Sequence, residues 1–121
     1  MANEISVTVR FDITNGNYSP GSINVSGATY DQTAVGCAEG VQEIGTTEES
    51  LSTGDLTTYG WLYMRNLDDT NYVQWGFSTG VYGGRMEAGE TAGPFRTEPA
   101  ATMYLKANTA ACDVQYRWLE D

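Results

Sequence analysis

Histidine is absent from the 121 residues, and this absence removes more chemistry than any other feature of the sequence. Without an imidazole, no Ser-His-Asp or Cys-His nucleophile system forms, and no His-ligated zinc or iron site. Cysteine is almost as scarce. Cys37 and Cys112 stand alone, without the CxxC spacing of a metal or redox pair. They are expected as two small buried thiols kept reduced, a disulfide between them remaining open. Basic residues number 6 against 16 acidic ones, a formal net charge of −10. Arg10, Arg65, Arg85, Arg96, Lys106 and Arg117 are scattered singly, without the clusters that neutralise phosphates. Neither nucleic acid nor an anionic membrane is therefore expected as a partner. No run approaches the roughly 18 apolar residues of a membrane helix. The start, Met1-Ala2-Asn3-Glu4, has no basic segment ahead of an apolar run, so synthesis and use without Sec export are expected. No glycine loop followed by Lys-Ser/Thr is present to cradle phosphate.

What the sequence does contain is strand and turn material. Hydrophobic residues make up 40% and charged residues 18%, the composition of a folded chain, and the length fits one domain over residues 1–121. Ile5, Val7, Val9, Phe11 and Ile13 alternate with Ser6, Thr8, Arg10, Asp12 and Thr14, which predicts a strand with one buried face. Asn15-Gly16 and Ser19-Pro20-Gly21 are turns, and Ile23-Asn24-Val25 is a short strand. Weaker strand signal surrounds Val35, Cys37, Val41 and Ile44. Thr46–Asp55 reads as a loop whose acids Glu48, Glu49 and Asp55 face solvent. Tyr59–Leu67 and Tyr72–Phe77 flank Asp68-Asp69-Thr70 and predict a hairpin at the centre of the sheet. Gly76, Gly80, Gly83 and Gly84 then open a loop. A short Gly84–Ala88 segment and a Gly/Pro link through Gly89, Gly93, Pro94 and Pro99 follow. Met103, Leu105 and Ala107, then Cys112, Val114, Tyr116 and Trp118, predict a terminal hairpin. Seven or eight short strands at this spacing, with no helical period, predict an all-β, antiparallel β-sandwich or jelly-roll-like fold.

Candidate chemistry is thin. Any acid-rich chain brings some carboxylates within reach of one another, but no spacing selects a catalytic pair. Asp68-Asp69-Thr70-Asn71 offers oxygen ligands in a turn, yet lacks the spacing and bidentate Glu of a calcium loop, and a turn needs Asp and Asn on its own account. The aromatic set Tyr59, Trp61, Tyr63, Tyr72, Trp75 and Phe77 is more informative. Tyr59, Trp61 and Tyr63 fall on one face of their strand, with Leu62 and Met64 on the other, so both faces need cover. Core, a subunit interface and a sugar-stacking platform are the three readings. Tyr59, Trp61, Tyr63 and Trp75 are the candidate interface residues.

The segment Gly60–Gly76, with Arg65-Asn66-Leu67-Asp68 and Thr70-Asn71-Tyr72-Val73 at its turn, resembles small structural proteins of tailed bacteriophages. So does Met86-Glu87-Ala88-Gly89-Glu90 leading through Pro94 to Tyr104-Leu105-Lys106-Ala107 and Cys112–Glu120. The likeness covers residues 59–120, about half the chain, and includes no catalytic signature. It implies a non-enzymatic virion component with no cofactor: a capsid decoration or cement protein that stabilises the phage head through protein–protein contacts. A head-tail, tail or fibre subunit is the alternative within the resemblance, and a carbohydrate-binding β-sandwich module the alternative outside it. The implied partners are the major capsid protein or another virion protein, and other copies of the chain, a trimer first. Residues 1–58 carry no part of the likeness, and there the N-terminal strand is a candidate for reaching a neighbouring subunit by β-augmentation.

Overall fold

The computed structural model describes residues 3–121, all of them in antiparallel strands, turns and loops, with no helix. Among the described residues ten strands occur where seven or eight are expected: β1 (Ile5–Phe11), β2 (Ile23–Tyr30), β3 (Cys37–Ile44), β4 (Glu49–Ser50), β5 (Tyr59–Asn66), β6 (Val73–Gly76), β7 (Gly84–Met86), β8 (Thr91–Arg96), β9 (Tyr104–Ala107) and β10 (Cys112–Glu120). They make three sheets, ordered β1-β2, β3-β10-β5-β8 and β4-β9-β6-β7. The one domain expected over 1–121 divides into two compact units, Met1–Thr33 and Ala34–Asp121.

In the second unit the two four-stranded sheets share one core and form the expected sandwich. Leu62, Met64, Val114 and Trp118 come from one sheet, and Val73, Met86, Leu105 and Ala107 from the other. β10 alternates Cys112, Val114, Tyr116 and Trp118 inward with charged and polar residues outward, and it is bordered on both sides, by β3 and β5. The indole Nε1 of fully buried Trp118 donates to Thr97 Oγ1 (3.2 Å), whose hydroxyl donates to the Gly60 carbonyl (2.9 Å).

Both predicted hairpins are corrected. β5 pairs with β10 and β8, whereas β6 lies in the opposite sheet with β7 and β9; β9 and β10 are separated in the same way. The segments between them are arches from sheet to sheet. Asn66 holds the first arch. Its side chain is fully buried, and Nδ2 donates to the carbonyls of Asn71 (2.9 Å), Met86 (3.1 Å) and Glu87 (3.3 Å), while Oδ1 accepts from the Asp68 amide (3.0 Å). Asn108 holds the second: its amide donates to the Tyr72 carbonyl, and its Oδ1 accepts the Tyr72 amide (3.1 Å). A buried polar group survives only when its hydrogen bonds are made, so Asn66 fixes the first departure from sheet to sheet, while half-buried Asn108 ties the second to Tyr72.

The two strands missed by the sequence reading have recognisable disguises. β4 is two residues long inside the acidic loop. β8 contains Gly93 and Pro94, and an edge strand bordered only by β5 tolerates a proline there. Gly93 takes φ +90°, and a Cβ on it would stand 2.5 Å from the Leu62 carbonyl oxygen, so the bulge opposite Tyr63 requires glycine.

The first unit is a two-stranded ribbon. Opposed residues are Ile5 and Tyr30, Val7 and Ala28, Val9 and Val25, Phe11 and Ile23 on one face; Ser6 and Thr29, Arg10 and Asn24 occupy the other. β2 carries its apolar residues three apart between Val25 and Ala28, which would put them on opposite faces. A bulge restores the phase: Ser26 and Gly27 stand against Thr8, with Gly27 at φ +64° and its amide donating to Thr8 Oγ1 (3.0 Å). The ribbon is tied at its base by the Asn3 amide on Asp31 Oδ1 (2.8 Å) and the Gln32 amide on Glu4 Oε2 (3.2 Å). The buried face predicted for β1 is only partly buried. Ile5 is covered, but exposure rises outward to 74% at Phe11, because a two-stranded sheet supplies no second layer.

Candidate functional site

The four candidate interface aromatics do not form one patch. Tyr59 sits where β5 begins, at an irregularity in the pairing with β10, and its ring packs on Trp118 at 4.9 Å, so it belongs to the core margin. Trp75 also leans on the core. Its ring stacks on Phe95 at 5.6 Å and meets Phe77 edge-on at 6.3 Å. Gly84 lies directly against that indole, since a Cβ there would come within 2.2 Å of it. Trp75, Phe77 and Phe95 thus line a shallow depression shared with Arg96, Thr97, Glu98 and Ala101.

Trp61 and Tyr63 do share a surface, the outer face of the β3-β10-β5-β8 sheet. Antiparallel pairing sets Tyr63 beside Arg117 and Arg117 beside Glu39, Arg65 beside Gln115, and Trp61 beside Arg96. The Arg117 guanidinium donates to Glu39 (2.7 Å), holding that carboxylate below its usual pKa, and the Arg96 guanidinium lies 5.7 Å from the Trp61 ring centre and also pairs with Asp121 (2.7 Å). Three of the 6 basic side chains, Arg65, Arg96 and Arg117, stand on this sheet's outer face in an otherwise acidic protein. Tyr63, Gly40, Val41, Gln115 and Arg117 line a second open depression there. The two aromatics are visible in the sequence but the arginines are not: Arg96 lies 35 residues from Trp61, and Arg117 54 residues from Tyr63, and each meets its aromatic only through strand pairing.

Other expected features fall as follows. Cys112 is buried, but Cys37 is exposed, on the outer face of β3; the two free thiols sit at opposite ends of the β3–β10 ladder, too far apart to bridge. Burial, then the Glu39 carboxylate, pushes the Cys37 thiol pKa up. Asp68 Oδ2 accepts the Thr70 (3.0 Å) and Asn71 (2.6 Å) amides, which lowers its pKa and commits it to the turn. Among the described residues no cluster of three or more His, Cys, Asp or Glu side chains is grouped as metal ligands. Glu48 and Glu49 are more than solvated acids. Glu49 accepts from the Gly45 amide (3.0 Å) and Gln42 (3.2 Å). Glu48 accepts from the Gly80 amide (2.7 Å) and the Tyr82 hydroxyl, which drops the Glu48 pKa and raises that of Tyr82 to about 12.

Compared with known family models, curated proteins and solved structures, the chain matches none.

Proposed function

We propose that this chain is a non-enzymatic structural subunit of a phage virion, of the capsid decoration or cement type, working through protein–protein contact. The observation that carries the contact reading is the outer face of the β3-β10-β5-β8 sheet, where Trp61 and Tyr63 stand among Arg65, Arg96 and Arg117. Tryptophan, tyrosine and arginine are the side chains that dominate binding energy at protein interfaces, because they bury much area and keep a polar tip for pairing. The virion assignment comes from the resemblance over residues 59–120. The acidic remainder of the surface suits the outside of a particle bathed in solvent.

The test is composition of purified particles from a phage whose genome encodes the chain. Mass spectrometry is expected to find it in stoichiometric amount, and deletion of its gene to lower the temperature at which heads release DNA. Absence from the particles sinks the assignment. The carbohydrate reading rests on Trp61, Tyr63 or Trp75 as a stacking ring. Arg96 already lies over the Trp61 ring and Phe95 against Trp75, which leaves less open ring for a sugar. Saturable quenching of tryptophan fluorescence by any member of a glycan panel would move the assignment to that alternative.

A further inference from the structure

The N-terminal ribbon is amphipathic to an unusual degree. Each opposed pair on one face is apolar from Ile5 and Tyr30 to Phe11 and Ile23, and the charged side chains of this unit, Glu4, Arg10, Asp12 and Asp31, all lie off that face or beyond the strands. Its outer half is bare: Phe11 is 74% exposed, Ile23 72%, Val25 48% and Val9 40%. These four are mutual cross-strand neighbours, so they make one continuous patch. Both strands are sheet edges, and a lone two-stranded ribbon is marginal in water without a further layer.

We infer that this face is a self-association surface, covered by the same face of a second copy of the chain. Three considerations select that occupant. An uncharged apolar patch is complementary to itself and carries no charge with which to choose an oppositely charged partner. The exposed side chains offer on the order of 500 Å² of apolar surface, so two copies face to face bury roughly 1,000 Å², the area at which specific interfaces begin. The acidic excess that would drive copies apart lies mostly beyond the ribbon, since only Glu4, Asp12 and Asp31 of the 16 acids belong to this unit. The inference rests on the contact reading for its purpose, but on the ribbon alone for its occupant.

Light scattering on a sizing column, with the full chain from about 1 to 300 μM, reads the outcome directly. The expected result is a concentration-dependent rise from 13.2 kDa to twice that mass. A Phe11→Glu/Val25→Glu variant and a Phe11→Lys/Val25→Lys variant each stay monomeric, and mixing them restores the doubled mass. Far-ultraviolet circular dichroism and the tryptophan emission of both variants match the wild type, because the substituted side chains are outside the sandwich core, which holds Trp118. A wild-type chain that stays monomeric throughout, or charged variants that keep the wild-type mass, overturns the inference. Incorporation of a strictly monomeric chain into particles removes the second copy but leaves the contact reading standing. A ribbon dimer absent from particles does the reverse.

Discussion

β1 and β10 carry the same sequence signal, apolar residues at every second position, and the protein uses it in opposite ways. In β10 the signal is fully honoured: Cys112, Val114, Tyr116 and Trp118 are buried, with a strand on either side and a second sheet opposite. In β1 burial holds at Ile5 and is lost by Phe11, where one partner strand is the whole sheet. Alternation therefore reports a face that requires cover, and says nothing of whether the cover belongs to the same molecule. The sandwich answers that requirement internally; the ribbon leaves it to association.

The contrast can be broken most severely at Trp118. Trp118→Ala is expected to cost ~3–5 kcal/mol of unfolding free energy in urea titrations, whereas Phe11→Ala, measured at low micromolar concentration, stays within about 0.5 kcal/mol. A comparable loss at Phe11 would mean the ribbon is packed as tightly as the sandwich. Next in size is Asn66→Ala, expected to cost about 2–4 kcal/mol, because the carbonyls of Met86 and Glu87 and the Asp68 amide lose their partner inside the arch. Asn66→Asp is no rescue, since a carboxylate cannot donate. The two bulge glycines separate the units again. Gly93→Ala meets the Leu62 carbonyl at 2.5 Å and is expected to cost roughly 2–3 kcal/mol, while Gly27→Ala has open space around it and loses only about 1 kcal/mol for its left-handed backbone. Equal melting shifts for the pair would remove the steric argument.

The smallest effect is electrostatic. The Tyr82 pKa is raised to about 12 by the Glu48 carboxylate, so its contribution to stability is complete below the ordinary tyrosine value of 10.0 and is lost as pH rises through about 12. Glu48 is shifted the other way, so its contribution holds above 4.5 and fades as pH falls through its lowered value. Ultraviolet difference titration near 295 nm should show Tyr82 ionising late, and Glu48→Gln should bring it back towards 10. An unchanged titration in that variant would place the cause elsewhere.

The sandwich class was legible because β1, β9 and β10 announce themselves by period 2, β5 by a bulky aromatic run, and the turns by Asn, Asp and Gly. Which strands pair was not legible. Asp68-Asp69-Thr70 serves an arch as well as a hairpin, and the difference lies in Asn66, a residue whose importance comes from four groups brought together by folding. β8 was hidden by Gly93 and Pro94, which read as a link unless the strand is known to be an edge. At the candidate surface Trp61 and Tyr63 were visible as large residues on one strand face, but the Arg96 and Arg117 beside them depend on register, which no local pattern encodes. Tyr59 and Trp75 looked equivalent to them in sequence and were drawn to the core by Trp118 and Phe95.

The bulge at Ser26 and Gly27 has a genetic consequence. It works as a one-residue phase shifter: everything in β2 before it is read in one frame of faces, and everything after it in the other. Deleting a single codon there would bring Val25 and Ala28 two residues apart, so a regular ladder would hold Ile23, Val25, Ala28 and Tyr30 on one face without any bulge. One-for-one pairing with both residues kept is what would turn Ile23 and Val25 to the side of Ser6 and Arg10 and leave a ribbon apolar on both sides. A one-residue deletion at the bulge should therefore be tolerated, because it removes the bulge and the need for it together.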